Sequence, residues 1–375
     1  MKILVAGDYV PFRGFSDCLV EGQTEYDYNI IREFTDRVDY SILNLEAPIV
    51  RGDEKPICKF GPNLKAPLNS LNGVVGMGFN AVTLASNHFR DYGDDGIINT
   101  ISLLDNAGLD HVGGGRSFQE ARKVLIKSIN EKNIAFVNCC EHEFSVASSE
   151  HGGSMPLDIV EISRLIKEAR KKNDYVVVII HGGNEWYQLP SPRMKRLYRF
   201  FVEMGADAVI NHHQHCYSGY EFYQGKPIIY GLGNFIFDNP SRRKMPWNEG
   251  CLAILDFNNS IEIELIPYRQ CDDKPGAYPM KGHERDSFFN NIEYLNSIIE
   301  DDAKLNAEFD EFMLEKHRGV YSLIGPFTNK YLRGLVNRGI TPSFISKKKA
   351  AMLYDFICCE AHRDVTINAL EFMLK

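Results

Sequence analysis

Three histidines fall within four residues near the middle of the chain, directly after an apolar run. The run 206–210 is followed closely by His212, His213 and His215. An apolar run that ends in polar residues is typical of a buried strand that delivers side chains to a sheet edge. Because alternate residues of a strand share a face, His213 and His215 are expected on one face and His212 on the other. Imidazole binds Zn, Fe, Ni and Mn ions; the alternative is a polar turn with solvated histidines.

Four further apolar runs end in groups that can bind a metal. These groups are Asp8, Glu46, the pair Asn87-His88, and His181. Each alone has an ordinary explanation as a helix cap, a salt-bridge partner or a solvated histidine. Together they predict a shared site, because strands of an α/β sheet bind ligands at their carboxyl ends. Carboxylate, amide and imidazole ligands suit a divalent ion, and two ions about 3.5–4 Å apart can polarise a phosphoryl group.

Strands and helices alternate through about residue 240, which predicts an α/β sheet flanked by helices. Strands are predicted at 2–7, 40–45, 80–85, 123–128, 134–139 and 175–180, and helices at 25–36, 67–77, 93–107, 157–172 and 192–204. A hairpin with a Gln224-Gly225 turn is predicted within 220–230, and strands near 251–257 and 261–267 form another. Residues 270–282 read as a loop. The predicted organisation is a domain of residues 1–269 followed by a helical extension of residues 283–375.

The composition is that of a globular protein and argues against several classes. The chain has 375 residues, of which 44% are hydrophobic and 25% charged. Its net charge of −8 gives no support for nucleic-acid binding. No stretch approaches the ~18 apolar residues of a membrane helix, and the first residues lack the apolar region of a signal peptide. The nine cysteines are scattered without a CxxC pair, which predicts free thiols in a reducing cytoplasm.

The order of these residues resembles the calcineurin-like metallophosphoesterases and, more closely, the bacterial capsule-synthesis family named for CapA, the poly-γ-glutamate synthesis protein. The resemblance covers roughly residues 1–267. It lies in Gly7-Asp8 with Arg13, Asn44-Leu45-Glu46, Ser86-Asn87-His88, the stretches 113–116, 181–186 and 205–215, and Tyr230 to Phe235. It implies a metallophosphatase-like, four-layer α/β/β/α sandwich, with the C-terminal helical extension outside the resemblance.

Position by position, the resemblance implies a ligand set for one or two divalent ions of Mn, Fe, Zn, Co or Ni. The implied ligands are Asp8, Glu46, Asn87, His181, His213 and His215, with Glu46 at the place of a bridging carboxylate. His88 matches the position that protonates a leaving oxygen or stabilises the transition state. Arg13 is a candidate for anion recognition, the alternative being a surface arginine. Glu185 and Glu221 either orient imidazoles or form simple salt bridges.

The chain departs from the family patterns at the ligand positions and beside them. Val10 stands where the usual phosphoesterase has a second histidine ligand, and Glu46 replaces a shorter aspartate. Asn211 and Gln214 replace the Gly and Pro of a Gly-His-His-Pro-His motif. The ligand set is therefore reduced relative to a full two-metal phosphatase, and phosphatase chemistry does not follow from the fold alone.

Two functions are compatible with the sequence. The first is a metal-dependent hydrolase or transferase that acts on an anionic small-molecule or polymer substrate in capsule or surface-polymer synthesis. The polymer would be poly-γ-glutamate or a polysaccharide. The second is a non-catalytic accessory factor of a capsule-synthesis complex, with the helical extension as the element that docks on capsule-synthesis proteins.

Overall fold

The computed structural model describes residues 1–12, 14–19, 26–258, 260–324, 331 and 346–374. Within these residues the strands are β1 (Lys2–Val10), β2 (Tyr40–Leu45), β3 (Ala81–Thr83), β4 (Asp110–Val112), β5 (Gly114–Gly115), β6 (Leu125–Ile129), β7 (Lys132–Cys140), β8 (Gly153–Ser154), β9 (Tyr175–His181), β10 (Ala208–His212), β11 (Tyr220–Tyr223), β12 (Lys226–Ile229), β13 (Asn234–Phe237), β14 (Glu249–Phe257), β15 (Ile261–Gln270) and β16 (Ala277–Pro279). The α-helices are α1 (Gly14–Asp17), α2 (Asn29–Thr35), α3 (Ser70–Gly76), α4 (Gly93–Ala107), α5 (Phe118–Ala121), α6 (Ile159–Arg170), α7 (Pro192–Glu203), α8 (Gly282–Glu300), α9 (Asp302–Ile324), α10 (Lys347–Cys358) and α11 (Glu360–Leu374).

The strands form two large sheets and one small one. The eight-stranded sheet has the order β16-β15-β14-β1-β2-β3-β4, with β13 beside the end of β1. The six-stranded sheet has the order β11-β12-β10-β9-β7-β6, and β5 pairs with β8 in the small sheet. β1 to β4 run parallel, as do β7, β9, β10 and β12. The carboxyl ends of these strands therefore lie at one edge of each large sheet.

The two large sheets pack face to face, with helices on their outer sides. Along β1, Ile3 and Val5 belong to a buried cluster shared with the six-stranded sheet, whereas Leu4 and Ala6 belong to a second cluster with α3 and α4. This split follows from the alternation of side chains along a strand. The apolar sides of α6 and α7 join the first cluster, next to the apolar strands β9 and β10. The four-layer α/β/β/α arrangement is therefore confirmed.

Most predicted elements are present with shifted ends. α4 ends at Gly108 as predicted, and this glycine has the left-handed backbone (φ 66°) that commonly closes a helix. α7 begins after Ser191, whose hydroxyl accepts a hydrogen bond from the Met194 N–H. β1 continues to Val10, three residues beyond its predicted end. The segment 270–282 is not entirely a loop, because β16 pairs with β15 there.

The C-terminal region is helical, as predicted, and its first helix packs directly on the α/β layers. α8 places five side chains in the first buried cluster: Phe288, Ile292, Leu295, Ile298 and Ile299. α9 and α11 contact each other through Met313, Val365 and Ala369. The division into a domain of residues 1–269 and an extension of residues 283–375 stays a prediction. None of the helices in the described ranges is long and apolar enough to cross a membrane.

Candidate metal centre

The six predicted ligands meet where the two sheets face each other at their carboxyl ends. Asp8 lies in β1 and Glu46 follows β2, while Asn87 lies beyond β3. His181 ends β9, and His213 and His215 follow β10. Each of these residues is at most 6% exposed. The two sheets thus contribute ligands to one cluster, and the apolar strands shield this cluster from water.

The carboxylates and imidazoles form two groups that share one residue. Glu46, His181 and His213 form one group, and Asp8, Glu46 and His215 form the other. Within each group the candidate ligand atoms lie within 4.8 Å of one another. Glu46 belongs to both groups, so its carboxylate has the position of a bridge between two ions.

The surroundings of the Glu46 carboxylate show whether a metal fits this cluster. Its side chain is fully buried, and neither carboxylate oxygen has a hydrogen-bond partner. Burial and the neighbouring Asp8 carboxylate raise the pKa of Glu46 well above its ordinary value. A buried carboxylate without donors is costly unless a cation compensates it. The donor set, two carboxylates with three imidazoles, suits a divalent transition metal.

Three side-chain atoms converge around Nε2 of His181. Oδ1 of Asn87 lies 3.0 Å from it, Nδ1 of His213 lies 3.1 Å away, and Oε1 of Glu46 lies 3.7 Å away. Burial lowers the pKa of His181 well below its ordinary value and that of His213 to about 4. Both imidazoles are therefore neutral, which is the form that binds a metal.

Asn44 orients two of these ligands and was not assigned a role from the sequence. Its Nδ2 donates to Oδ1 of Asp8 at 2.8 Å and contacts Nδ1 of His181 at 3.2 Å. The hydroxyl of Thr83 donates to Oδ1 of Asn44, which fixes the orientation of the amide. A sequence signal exists: Asn44 is a polar residue in an apolar strand, two positions before Glu46. Partners of this kind hold metal ligands in place.

The backbone around Asp8 is shaped by a close approach of two chain segments. The pairing register of β1 shifts at Asp8, on the side of β2 and on the side of β13. The N–H of Asp8 donates to the carbonyl of Gly233 at 3.3 Å. A Cβ on Gly7 would lie 1.9 Å from the same oxygen, so only glycine fits there. Such register shifts commonly re-aim side chains next to functional sites.

The prediction that His213 and His215 share a strand face, with His212 opposite, is wrong. β10 ends at His212, and His213 (φ 89°) and His215 (φ 57°) have left-handed backbones. The period of two residues holds only for extended backbone. As a result His212 also approaches the cluster, with Nδ1 3.8 Å from Oδ1 of Asp8. Neither ring nitrogen of His212 has a hydrogen-bond partner.

His215 is fixed by Asn234 and packed against aromatic rings. Oδ1 of Asn234 lies 2.9 Å from Nδ1 of His215, and an amide oxygen can only accept, so the ring proton lies on Nδ1. The His215 ring centroid lies 4.6 Å from that of Trp247, which in turn stacks on Trp186 at 4.9 Å. Gly233 (φ 75°) provides the turn that brings Asn234 here.

His88 lies beside the cluster and is held by a buried ion pair. Its Nδ1 lies 2.6 Å from Oδ2 of Asp91 and 3.0 Å from Nζ of Lys59, and Lys59 also pairs with Asp91. Burial and the ammonium of Lys59 lower the pKa of His88.

Glu143 was not identified from the sequence, although its Oε2 accepts a hydrogen bond from Nδ2 of Asn87 at 3.3 Å.

A cavity of about 430 Å³ opens in front of this cluster. Its inner wall includes Lys59, Asn87, His88, Glu143, Glu185 and Trp186. Glu185 thus lines the cavity. Glu221 instead binds Arg199 through both carboxylate oxygens and accepts from the Tyr230 hydroxyl. Glu221 therefore forms a salt bridge, which was one of its two predicted roles. Arg13, the candidate for anion recognition, lies outside the described residues.

The comparisons with known proteins decide the family. The model of the family described as "Bacterial capsule synthesis protein PGA_cap" matches residues 2–239, which is more than half of the chain. The chain belongs to this family. The match contains all six candidate ligands and His88, and it ends before α8. The capsule-synthesis resemblance seen in the sequence is therefore confirmed.

Individual relatives match over part of their length. The chain is 30% identical over 247 residues to "Capsule biosynthesis protein CapA" of Bacillus anthracis, covering 64% of this chain and 60% of that protein. It is 31% identical over 204 residues to "PGA biosynthesis protein CapA" of Bacillus subtilis, covering 53% of each. The chain thus spans little more than half the length of these relatives. A solved structure of a hypothetical protein from Thermus thermophilus superposes with a TM-score of 0.48 at 14% identity, covering 72% of this chain and 99% of that one.

Proposed function

We propose that this member of the capsule-synthesis family is a metal-dependent hydrolase or transferase. Its substrate would be an anionic small molecule or polymer that carries a phosphoester, an acyl phosphate or γ-glutamyl carboxylates. We further propose that it acts in the cytoplasm, in the synthesis of a capsule or another surface polymer. The names of the relatives from Bacillus anthracis and Bacillus subtilis support the pathway, and the buried cluster supports the chemistry.

The proposal rests on Glu46. Its two unpartnered oxygens lie between a group with His181 and His213 and a group with Asp8 and His215. In a metal-free role, such a carboxylate would be expected to have hydrogen-bond donors, as the great majority of buried polar groups do. A carboxylate without other partners would be available to both ions.

The residues of the chain would take distinct roles around a bound ion. Asn87 with His181 and His213 would hold one ion, and Asp8 with His215 the other, both shared through Glu46. An ion bound there would supply Lewis-acid polarisation of a phosphoryl or carbonyl oxygen. His88 lines the cavity, and Asp91 and Lys59 fix its ring, so it can donate a hydrogen bond or a proton to a substrate oxygen.

Elemental analysis of the purified protein tests the proposal. We expect about two equivalents of transition metal per chain, with unequal affinities, because one ion would have four candidate ligands and the other three. Glu46→Gln should lose both ions, and His213→Ala should lose mainly one. Glu264→Gln is the matched control, since Glu264 is exposed and pairs only with Arg37 among the described residues.

The metal-loaded protein is then assayed on phosphoesters and on γ-glutamyl peptides. Activity that is lost in His88→Asn while the metal content is kept would support the catalytic role. A wild-type protein that stays metal-free after incubation with Mn²⁺ or Zn²⁺ would contradict the proposal.

A second candidate, a non-catalytic accessory factor, is favoured by the surface of the last helices. Tyr354 and Ile357 of α10 and Ile367 of α11 are 51%, 65% and 49% exposed. Exposed apolar side chains of this kind often mark contacts with other proteins. Under this proposal Ile357→Lys would prevent binding to capsule-synthesis proteins without changing the metal content. Metal-dependent activity of the purified wild type on phosphoesters or γ-glutamyl peptides would contradict it.

A further inference from the structure

The C-terminal helices form the outer wall of the cavity in front of the candidate metal centre. The side chains that line this wall are Phe312, Lys316, Asp355, Phe356, His362 and Val365. They come from α9, α10 and α11, far beyond residue 239, where the family match ends. The family segment supplies the candidate ligands, and a separate segment of this chain encloses the space next to them.

Buried ionic contacts hold this wall in place. The guanidinium of Arg193 in α7 lies 2.6 Å from the carboxylate of Glu141 and 2.5 Å from that of Asp364 in α11. His142 pairs with Glu360 at the start of α11, at 2.5 Å. Glu141 is only 3% exposed, and ion pairs to such buried carboxylates are strongly destabilising to break. The wall is therefore a docked part of the structure.

His362 is the most pre-organised polar group of the wall. Its Nδ1 lies 2.8 Å from Oδ2 of the buried Asp355, and its ring stacks on Phe356 at 5.4 Å. The His362 side chain remains 33% exposed. Burial opposes a charge on this ring, and the adjacent carboxylate of Asp355 favours one. The His362 ring is thus held against a carboxylate at the edge of the cavity.

Cys359 lies next to His362, and a Cys-His-Asp constellation could indicate a nucleophile. Two observations argue against that interpretation. Cys359 is fully buried and does not line the cavity. Burial raises the pKa of its thiol to about 12, so the reactive thiolate is not formed at neutral pH. The functional part of the constellation is therefore the Asp355–His362 pair.

The charges around the cavity favour an anionic ligand on this side. Lys316 stands on the same wall, with its ammonium 4.9 Å from the ring centroid of Phe312. Of the acids facing the cavity, Asp355 is paired with His362, and Glu143 accepts a hydrogen bond from Nδ2 of Asn87. Glu185 is the remaining carboxylate, on the inner wall. Two basic side chains of the outer wall, His362 and Lys316, thus face a centre that divalent ions would make positive.

We propose that His362 and Lys316 form an anion-binding subsite, which holds a phosphate or carboxylate group of the substrate remote from the reacting bond. This inference deepens the proposed function, because it names the part of the site that recognises an anionic substrate. Asp355 acts as a positioning residue, which keeps the ring of His362 directed at the cavity. Hydrogen bonds from charged donors to anions are the strong ones in proteins.

Isothermal titration calorimetry on the full chain tests the subsite. Inorganic phosphate and γ-glutamylglutamate are titrated separately into the Mn²⁺-treated protein and the metal-free protein. We expect His362→Gln to weaken binding of at least one probe about tenfold in both forms, and Lys316→Gln to weaken it less. The matched control is His283→Gln, an exposed histidine on α8 outside the cavity. Whichever probe responds identifies the anionic group as phosphate or carboxylate.

Two further measurements separate the possible failures. Thiol labelling with detection by mass spectrometry shows whether Cys359 stays protected, which reports that the wall is still docked. Metal content is measured on the same samples and reports on the proposed function alone. Unchanged affinity in His362→Gln, no binding by the wild type, or weaker binding accompanied by exposure of Cys359 would each overturn the subsite. A protein that takes up no Mn²⁺ on treatment, yet still binds the probe through His362, would overturn the metal proposal and leave the subsite standing.

Discussion

Glu46 is expected to destabilise the protein without metal and to stabilise it with metal. Its carboxylate is fully buried, has no hydrogen-bond partner and faces Asp8. A buried polar group left unpaired costs about 1–3 kcal/mol. Glu46→Gln keeps the size of the side chain and removes the charge. The variant should therefore raise the free energy of unfolding of the metal-free protein by about 1–2 kcal/mol.

The sign of this effect should reverse when metal is bound. A ligand present at 100 times its dissociation constant stabilises the folded state by about 2.7 kcal/mol. The wild type should gain about this amount with Mn²⁺, whereas Glu46→Gln should gain little because Glu46 belongs to both ligand groups. The assay is urea unfolding of each protein with EDTA and with Mn²⁺, with equal m-values as the condition for comparing midpoints.

Glu264→Gln serves as the control, because Glu264 is exposed. This change should alter the free energy of unfolding by no more than about 0.5 kcal/mol, with or without metal. The reasoning is refuted if Glu46→Gln lowers the free energy of unfolding equally with and without metal. Glu46 would then be an ordinary structural acid, stabilised by donors that become available in solution.

Three further outcomes test the packing around the site. Gly7→Ala would place a methyl group 1.9 Å from the carbonyl oxygen of Gly233, so it should lower the free energy of unfolding by about 3 kcal/mol in urea melts; an unchanged midpoint would contradict the close approach. Glu360 raises the pKa of His142, so their ion pair should help dock α11 below about pH 6.5 and lose this effect as pH rises above the raised pKa. The ion pair contributes at most about 1 kcal/mol, because the His142 side chain is 35% exposed. It is measured by comparing hydrogen exchange in α11 between the wild type and His142→Gln at each pH. A difference between the two proteins that persists at high pH would argue against the ion pair. Arg193→Gln should cost about 3 kcal/mol, since it leaves a buried carboxylate unpaired, and a loss below about 1 kcal/mol would show that the pair contributes little.

The positions of the candidate ligands could be predicted because the strands of this protein are apolar and end abruptly. A run such as Tyr40 to Leu45 is buried at every position, and the first charged residue after it is Glu46. Repeated strand–helix alternation then brings such residues to one edge of a sheet. The same regularity predicted an α/β sheet flanked by helices. The end of α4 was predicted from Gly108, and the four layers were implied by the family resemblance.

The side chains that orient the ligands could not be predicted in the same way. Glu143 contacts Asn87, and Asn234 contacts His215. These contacts join segments that are distant along the chain, so they produce no periodic pattern in the sequence. The faces of His213 and His215 were misassigned because their left-handed backbones interrupt the strand period. The wall residue His362 lies beyond the family match, and its helical spacing alone gives no sign that it faces a cavity.

The wall of C-terminal helices also sets an order of events during biosynthesis. Every candidate metal ligand precedes residue 216, whereas the side chains of the outer wall begin at Phe312. Ribosomes add about 5–20 residues per second, so on the order of ten seconds separates synthesis of His215 from that of His362. During that interval the ligand residues have been synthesised and the outer wall has not, so an ion that reaches them then does not have to pass the wall. The metal supply at the moment of translation would then bear on which ion the centre first meets.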